Sequence, residues 1–274
     1  MQPIRVWITR CHRSSGAQPV KNEYNDTPKG DERHVPDCSS SNLVIFVMEE
    51  LGIPYEVKSI KFDDVKKKPM IDVNPNGRVP AIEDPNTNLT LWESCAIITY
   101  LIEQYDKEHA LTYTDLVDKH HLNQWLHFQT SGQGPYYGAA GWFLLLHPEK
   151  LPSAIDRYTK QLTRVLGVID GWLDGKEWLV GDKMTYADMA WAPWNDRVNT
   201  SLGVPEPNKF DGFPNVKAWH DRVTGRPSWQ RSMELRTRLM DEQGLMWNGM
   251  PKGTKSFAEY EAKIKAGDDT TPKE

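Results

Sequence analysis

The chain is short of cysteine, has no long apolar run and carries no excess of positive charge, and each shortage removes a class of function. Only Cys11, Cys38 and Cys95 occur in 274 residues. An odd number at wide spacing does not build the paired framework of a small secreted scaffold, so reduced thiols are expected. No stretch of about eighteen apolar residues is present, and no segment is expected to span a bilayer. The opening MQPIRVWITRCHRSSG lacks the apolar centre and small-residue cleavage site of a secretion signal, which points to a cytoplasmic protein without membrane contact. Lys and Arg number 33 against 38 Asp and Glu, for a formal net charge of -5 and a pI near 5.9. That balance offers no basic field to a phosphate backbone, so nucleic acid is not an expected partner. No internal repeat is visible.

What is present is enough apolar material, 38% of the chain, to bury a core and to build two modest domains. IRVWITR reads as a β-branched strand. SNLVIFVMEELG places Leu43, Phe46, Val47 and Leu51 at helical spacing before a glycine stop, and PYEVKSI is a second strand. Two short extended pieces, VPAIED and LTLW, follow around the turn residues PNTN, and a helix carries Ser94, Ile97, Ile98, Leu101 and Tyr105. The order βαβ then ββα predicts an α/β, thioredoxin-like first domain over residues 1–106. From Asp115 strands disappear. Leu122, Trp125, Leu126 and Gln129 mark one helix, and Ile155, Leu162, Val165, Leu166, Ile169 and Leu173 the next, so 115–240 is expected to be all helix.

Two stretches fit neither domain. Residues 11–37, rich in Gly, Pro, Asn and Asp, are expected to form a 27-residue loop inserted between the first strand and the first helix. Residues 241–274 contain one weak helical piece, SFAEYEAKIKAG, and a charged tail expected to be partly disordered.

The chemistry concentrates in NPNGRVPAIEDPNTNLTLWESCAIITYLIEQY. A proline at the start of a strand is the place where a cis peptide is cheap, and a cis bond before Pro80 would turn the Val79 N–H and C=O out of the sheet toward a ligand's peptide. At Glu93 and Ser94 a helix begins, where unpaired N–H groups and the positive end of the dipole favour a carboxylate, while the Ser94 hydroxyl and Glu93 carboxylate suit the adjacent amine. A ligand with an amino-acid group at one end and a peptide in its middle is glutathione, with its thiol toward the start of the first helix.

The βαβ-ββα-helix order, RVP before a short strand, WES opening the next helix and the later WLVGDKMTYADMAWAPW together resemble a cytosolic glutathione transferase, over roughly residues 1–10 and 38–235. NPNGRVPAIED, ESCAIITYLIEQYD and FQTSGQGPYYG are most similar to the fungal subgroup related to the yeast nitrogen-regulating prion protein, a regulator that is mainly a binding protein. The resemblance implies glutathione as co-substrate, held by Arg78, Val79, Pro80, Glu93 and Ser94, and a homodimer. It places the thiol-contacting residue within CSSSNLVIF, with Ser40 at the aligned position and Ser39 and Ser41 beside it. A hydroxyl there would donate to the sulfur and favour the thiolate; the same serines also suit a helix cap. Cys38 is a rival nucleophile. The 11–37 insert departs from the family pattern and is expected to shape the second substrate's pocket. It brings Cys11, His12 and His34 near Cys38, but without the spacing of a metal site, and no metal is expected.

Thr185 to Asp188 has the form of a capping box, so Asp188 is assigned to folding. The aromatic group Trp125, Phe128, Tyr136, Tyr137, Trp142 and Phe143 reads both as helix core and as pocket wall, with Phe128, Tyr136 and Tyr137 the candidates for the wall. Three activities remain open: thiolate addition to an electrophile, with a role in fungal secondary metabolism; reversible addition to a conjugated alkene, which is cis-trans isomerisation; and glutathione binding without turnover.

Overall fold

The computed structural model describes residues 1–10, 39–61, 64–147, 149–242, 244, 252, 253 and 259. The 11–37 insert, Cys38 and nearly all of the 241–274 extension therefore lie outside the described residues. A four-stranded sheet is built from β1 (Ile4–Arg10), β2 (Tyr55–Lys61), β3 (Ala81–Asp84) and β4 (Leu89–Trp92), in the order β2-β1-β3-β4. β1 and β2 run parallel, with Ile4 opposite Tyr55 and Arg10 opposite Lys61, and α1 (Ser39–Leu51) is the crossover between them. β3 lies antiparallel to both β1 and β4. A short α2 (Met70–Val73) precedes β3, and α3 (Ser94–Tyr105) follows β4. This is the expected thioredoxin-like order.

The Asp84 carboxylate ties the β3–β4 hairpin to α3. It accepts from the hydroxyls of Tyr100 at 2.6 Å and Tyr105, and from the Asn86 backbone N–H at 2.8 Å. Beyond α3, Asp106 turns the chain by accepting from the N–H groups of Ala110 and Leu111, both at 2.8 Å. Then come α4 (Leu116–Phe128), α5 (Gly134–Gly141), α6 (Pro152–Trp172), α7 (Tyr186–Asp196), α8 (Val198–Leu202), α9 (Pro214–Thr224) and α10 (Pro227–Asp241). No strand occurs among the described residues after Trp92.

Nine of the thirteen residues of α1 are buried, including Phe46, Val47 and Met48. This helix packs against α3, α7 and α10, so one apolar core runs through both parts of the molecule. Its last turn is clamped to α10. Arg226 and the Ser228 hydroxyl bind Glu50, and Arg231 Nε reaches Glu49 at 2.6 Å. Burial pushes the Glu50 carboxyl up, but the bonds from Arg226 and Ser228 outweigh it and hold the group below its ordinary range.

At the start of α7, Asp188 is fully buried and collects four donors: the N–H of Leu179 and of Thr185, the Thr185 hydroxyl and the Trp219 indole N–H, at 2.8–2.9 Å. The capping box is present, and Asp188 serves folding as expected.

Candidate functional site

Ser39, Ser40 and Ser41 form the first turn of α1, where the helix offers unpaired N–H groups and a partial positive charge. Successive helical residues point about 100° apart, and burial separates the three. Ser39 is 3% exposed and Ser41 6%, whereas Ser40 is half-buried. The next residues settle against α10: the Asn42 amide donates to Met233 Sδ at 3.4 Å, and Phe46 meets Trp229 edge-on at 5.2 Å. Ser40 is thus the most accessible serine of this turn.

The sheet register brings the other predicted residues to the same end. Trp7 is opposite Ala81, and Ala81 is opposite Trp92. The residues that precede Ala81 and those that follow Trp92 therefore leave the sheet side by side. The first of these is the Val79–Pro80 bend, whose peptide bond is cis. Asn74 steadies it by donating to the Arg78 carbonyl at 2.7 Å, Pro80 is buried, and Arg78 is exposed. Val79 packs with Trp7 and Trp92 on a small second core of Ile60, Val65, Met70 and Ala81.

The second is Glu93, exposed, at φ 72° and ψ 113°. A glutamate in that region is strained, and such strain persists where surrounding structure enforces it. Here it aims the Glu93 side chain outward as α3 begins, with Ser94 half-buried behind it. Ile8 and Thr9, near the end of β1, share a cavity with Ser41 and Asn42, which sets the start of α1 next to this edge.

Cys95 follows directly and is half-buried. Burial and the charge of Glu93 push its thiol up to about 12, and Sγ donates to Gln129 Oε1 at 3.4 Å. Gln129 Nε2 donates to Gln133 Oε1 at 3.1 Å, and Gln133 Nε2 to Asn195 Oδ1 at 2.8 Å. All three amides are buried, and Gln129–Gln133 is a π-helical turn between α4 and α5.

Of the three residues predicted for the pocket wall, Tyr137 needs correction. Tyr137 is completely buried in the core and does not face an open pocket. Burial drives its phenol pKa upward. Phe128 is half-buried in an aromatic stack, 5.3 Å from Trp191 and 6.1 Å from Trp125. Tyr136 is half-buried and packs on the same core. Helical spacing could not tell these faces apart, because the π turn rotates the register of α5 relative to α4. The cavity beside the serines is walled instead by α10, through Leu235, Leu239 and Met240. Their spacing in SMELRTRLM was the available signal, and it lies outside the aromatic cluster that drew attention.

Among the described residues no group of three His, Cys, Asp or Glu could hold a metal ion, and no helix is long and apolar enough to cross a membrane. The Cys11, His12, His34 and Cys38 set falls outside them.

Two family profiles match the chain: Glutathione S-transferase, N-terminal domain over residues 33–109, and Glutathione S-transferase, C-terminal domain over 135–227. Glutathione S-transferase-like protein gedE of Aspergillus terreus is 47% identical over 193 residues, covering 67% of this chain and 85% of that protein. The chain belongs to the glutathione S-transferase family. The chain is also 34% identical to the transcriptional regulator URE2 of Saccharomyces cerevisiae, over 68% of its own length and 62% of the regulator's. Among solved structures, the glutathione transferase URE2P8 from Phanerochaete chrysosporium with oxidized glutathione superposes with a TM-score of 0.74 at 32% identity, covering 89% of this chain and 99% of that one.

Proposed function

We propose that the protein binds glutathione and holds its sulfur as the thiolate for addition to an electrophilic small molecule. The observation that supports this most is the row Trp7–Ala81–Trp92, which opens the Val79–Pro80 bend and the Glu93–Ser94 helix start at one sheet edge. In this reading the Val79 backbone pairs with the cysteinyl peptide, while Glu93 and Ser94 take the γ-glutamyl ammonium and carboxylate. Arg78 lies beside the peptide. The Ser40 hydroxyl donates to sulfur, aided by the α1 dipole, so no general base is required. The thiolate then attacks carbon. A carbon–sulfur bond forms as a leaving group departs, or as a π pair moves onto an activating carbonyl and a proton arrives from solvent. A related structure solved with oxidized glutathione agrees with glutathione as the co-substrate.

Titration calorimetry tests the seat. Wild type should bind glutathione, and Glu93→Ala should weaken binding by about 1.5–3 kcal/mol, as for a charged hydrogen bond; unchanged affinity would remove Glu93 from the site. Substrate tests separate the chemistries. Loss of glutathione supports conjugation, and recovered glutathione with an isomerised alkene supports the reversible reaction. The similarity to URE2 favours a binding-only alternative, which would bind glutathione and turn over none of a panel of electrophiles. The same reading takes two copies as the working form and a fungal secondary metabolite as the substrate; a monomeric mass at micromolar concentration would rule out the pairing.

A further inference from the structure

Resting on the reading of Ser40 as the thiol's partner, we infer that the cavity between α1 and α10 is a specificity pocket. It accepts a short apolar arm of the second substrate and reads an oxygen on that arm through the Ser41 hydroxyl. The cavity measures about 40 Å³, room for roughly three water-sized groups. Its wall is mostly hydrocarbon, from Ile8, Ile45, Leu235, Leu239 and Met240. It exists because small polar side chains, Ser41, Asn42 and Ser232, stand where two buried helix faces meet.

Two of those three are committed elsewhere, Asn42 to Met233 Sδ and the Ser232 hydroxyl to the Trp229 carbonyl. The third is not. Ser41 Oγ is buried and has no hydrogen-bond partner. A buried hydroxyl without a partner is costly and calls for one. A wholly hydrocarbon arm would leave that cost in place, whereas a carbonyl or hydroxyl oxygen on the arm would remove it. Ser41 follows Ser40 in the first turn of α1, so the recess and the thiol's proposed partner lie on the same turn of helix. The pocket therefore selects oxygen-bearing arms over plain alkyl arms of equal length. A site built to pair with an oxygen discriminates strongly against the analogue that lacks it.

The test uses the full chain and two glutathione adducts of equal length, S-butylglutathione and S-(3-oxobutyl)glutathione, with glutathione alone as the control. In wild type the oxo adduct should bind at least tenfold more tightly than the butyl adduct. Ser41→Ala should reduce that preference to below threefold, mainly by weakening the oxo adduct. Leu239→Trp, which fills the recess, should weaken both adducts at least tenfold without changing glutathione affinity. Leu235→Phe serves the same purpose if the tryptophan variant does not fold. Intact glutathione binding together with adduct affinities that neither substitution moves would overturn the pocket alone. Absence of glutathione binding by wild type would overturn the proposed function and the pocket with it.

Discussion

At position 40 the proposed function predicts that a single hydroxyl separates binding from rate. Ser40→Ala should leave glutathione affinity nearly intact, because in the proposed seat Val79, Glu93 and Ser94 hold the tripeptide. The bound thiol's pKa should rise and turnover near neutral pH should fall by about 10–100-fold, the worth of one hydrogen bond to a charged group. A pH–rate profile with its rising limb moved to higher pH would bear this out; wild-type turnover at pH 7 would shift the role to another group of the first turn. Glu93 carries the opposite trade. Its backbone sits at φ 72°, where glycine is unstrained, so Glu93→Gly should raise stability by about 1 kcal/mol while weakening glutathione binding. Thermal unfolding and calorimetry on the same sample check both halves. Much of this was legible in the chain itself, since a proline before a strand and an acid–hydroxyl pair at a helix start are local signals. The different burial of Ser39, Ser40 and Ser41 was not, because burial of neighbouring helical residues depends on what packs against each face.

Between elements, the strongest tie is at the start of α7, where four donors converge on Asp188. Asp188→Ala would leave three buried N–H groups without an acceptor, those of Leu179, Thr185 and the Trp219 indole. The expected loss is about 3 kcal/mol or more, because each orphaned buried donor costs about 1–3 kcal/mol. Urea unfolding with an unchanged slope and a lower midpoint would verify it. Thr185-x-x-Asp188 announced the cap in the sequence, but the contributions of Leu179 and Trp219 come from tertiary packing that no local pattern encodes. The same limit explains Phe128 and Tyr137. A straight α-helical period from 116 to 146 would put Phe128 and Tyr137 on opposite faces, whereas the π turn at Gln129–Gln133 changes that relation and sends Tyr137 into the core. A chain of buried amides fills that turn, and amides do not register in a hydrophobic pattern.

For the molecule as a whole, acid should begin to act at two different pH values. His220 is buried against Phe210, its ring 5.1 Å away, and burial aided by Lys209 and Lys217 pushes its pKa down to about 3. Unfolded chains protonate this residue near pH 6.5 and the native state does not, so stability declines as pH falls below that value. The group's share is about 1.4 kcal/mol per pH unit. Glu50, held below its ordinary range, keeps its contribution until pH falls beneath about 4.5. Urea midpoints measured from pH 7 to pH 5 should therefore drop in wild type and flatten in His220→Leu, while Glu50→Gln should alter only the steeper decline at lower pH. The order of strands and helices, and the change of style near residue 106, could be read from periodicity; the depth at which α1 is buried could not. That helix belongs to the sheet by connection and to α7 and α10 by contact. The boundary drawn through the sequence is consequently no line of cleavage. Residues 1–106 made alone would present Phe46 and its neighbours to water and should aggregate, so genetic exchange of the helical half succeeds only when the incoming partner brings a matching bed for α1.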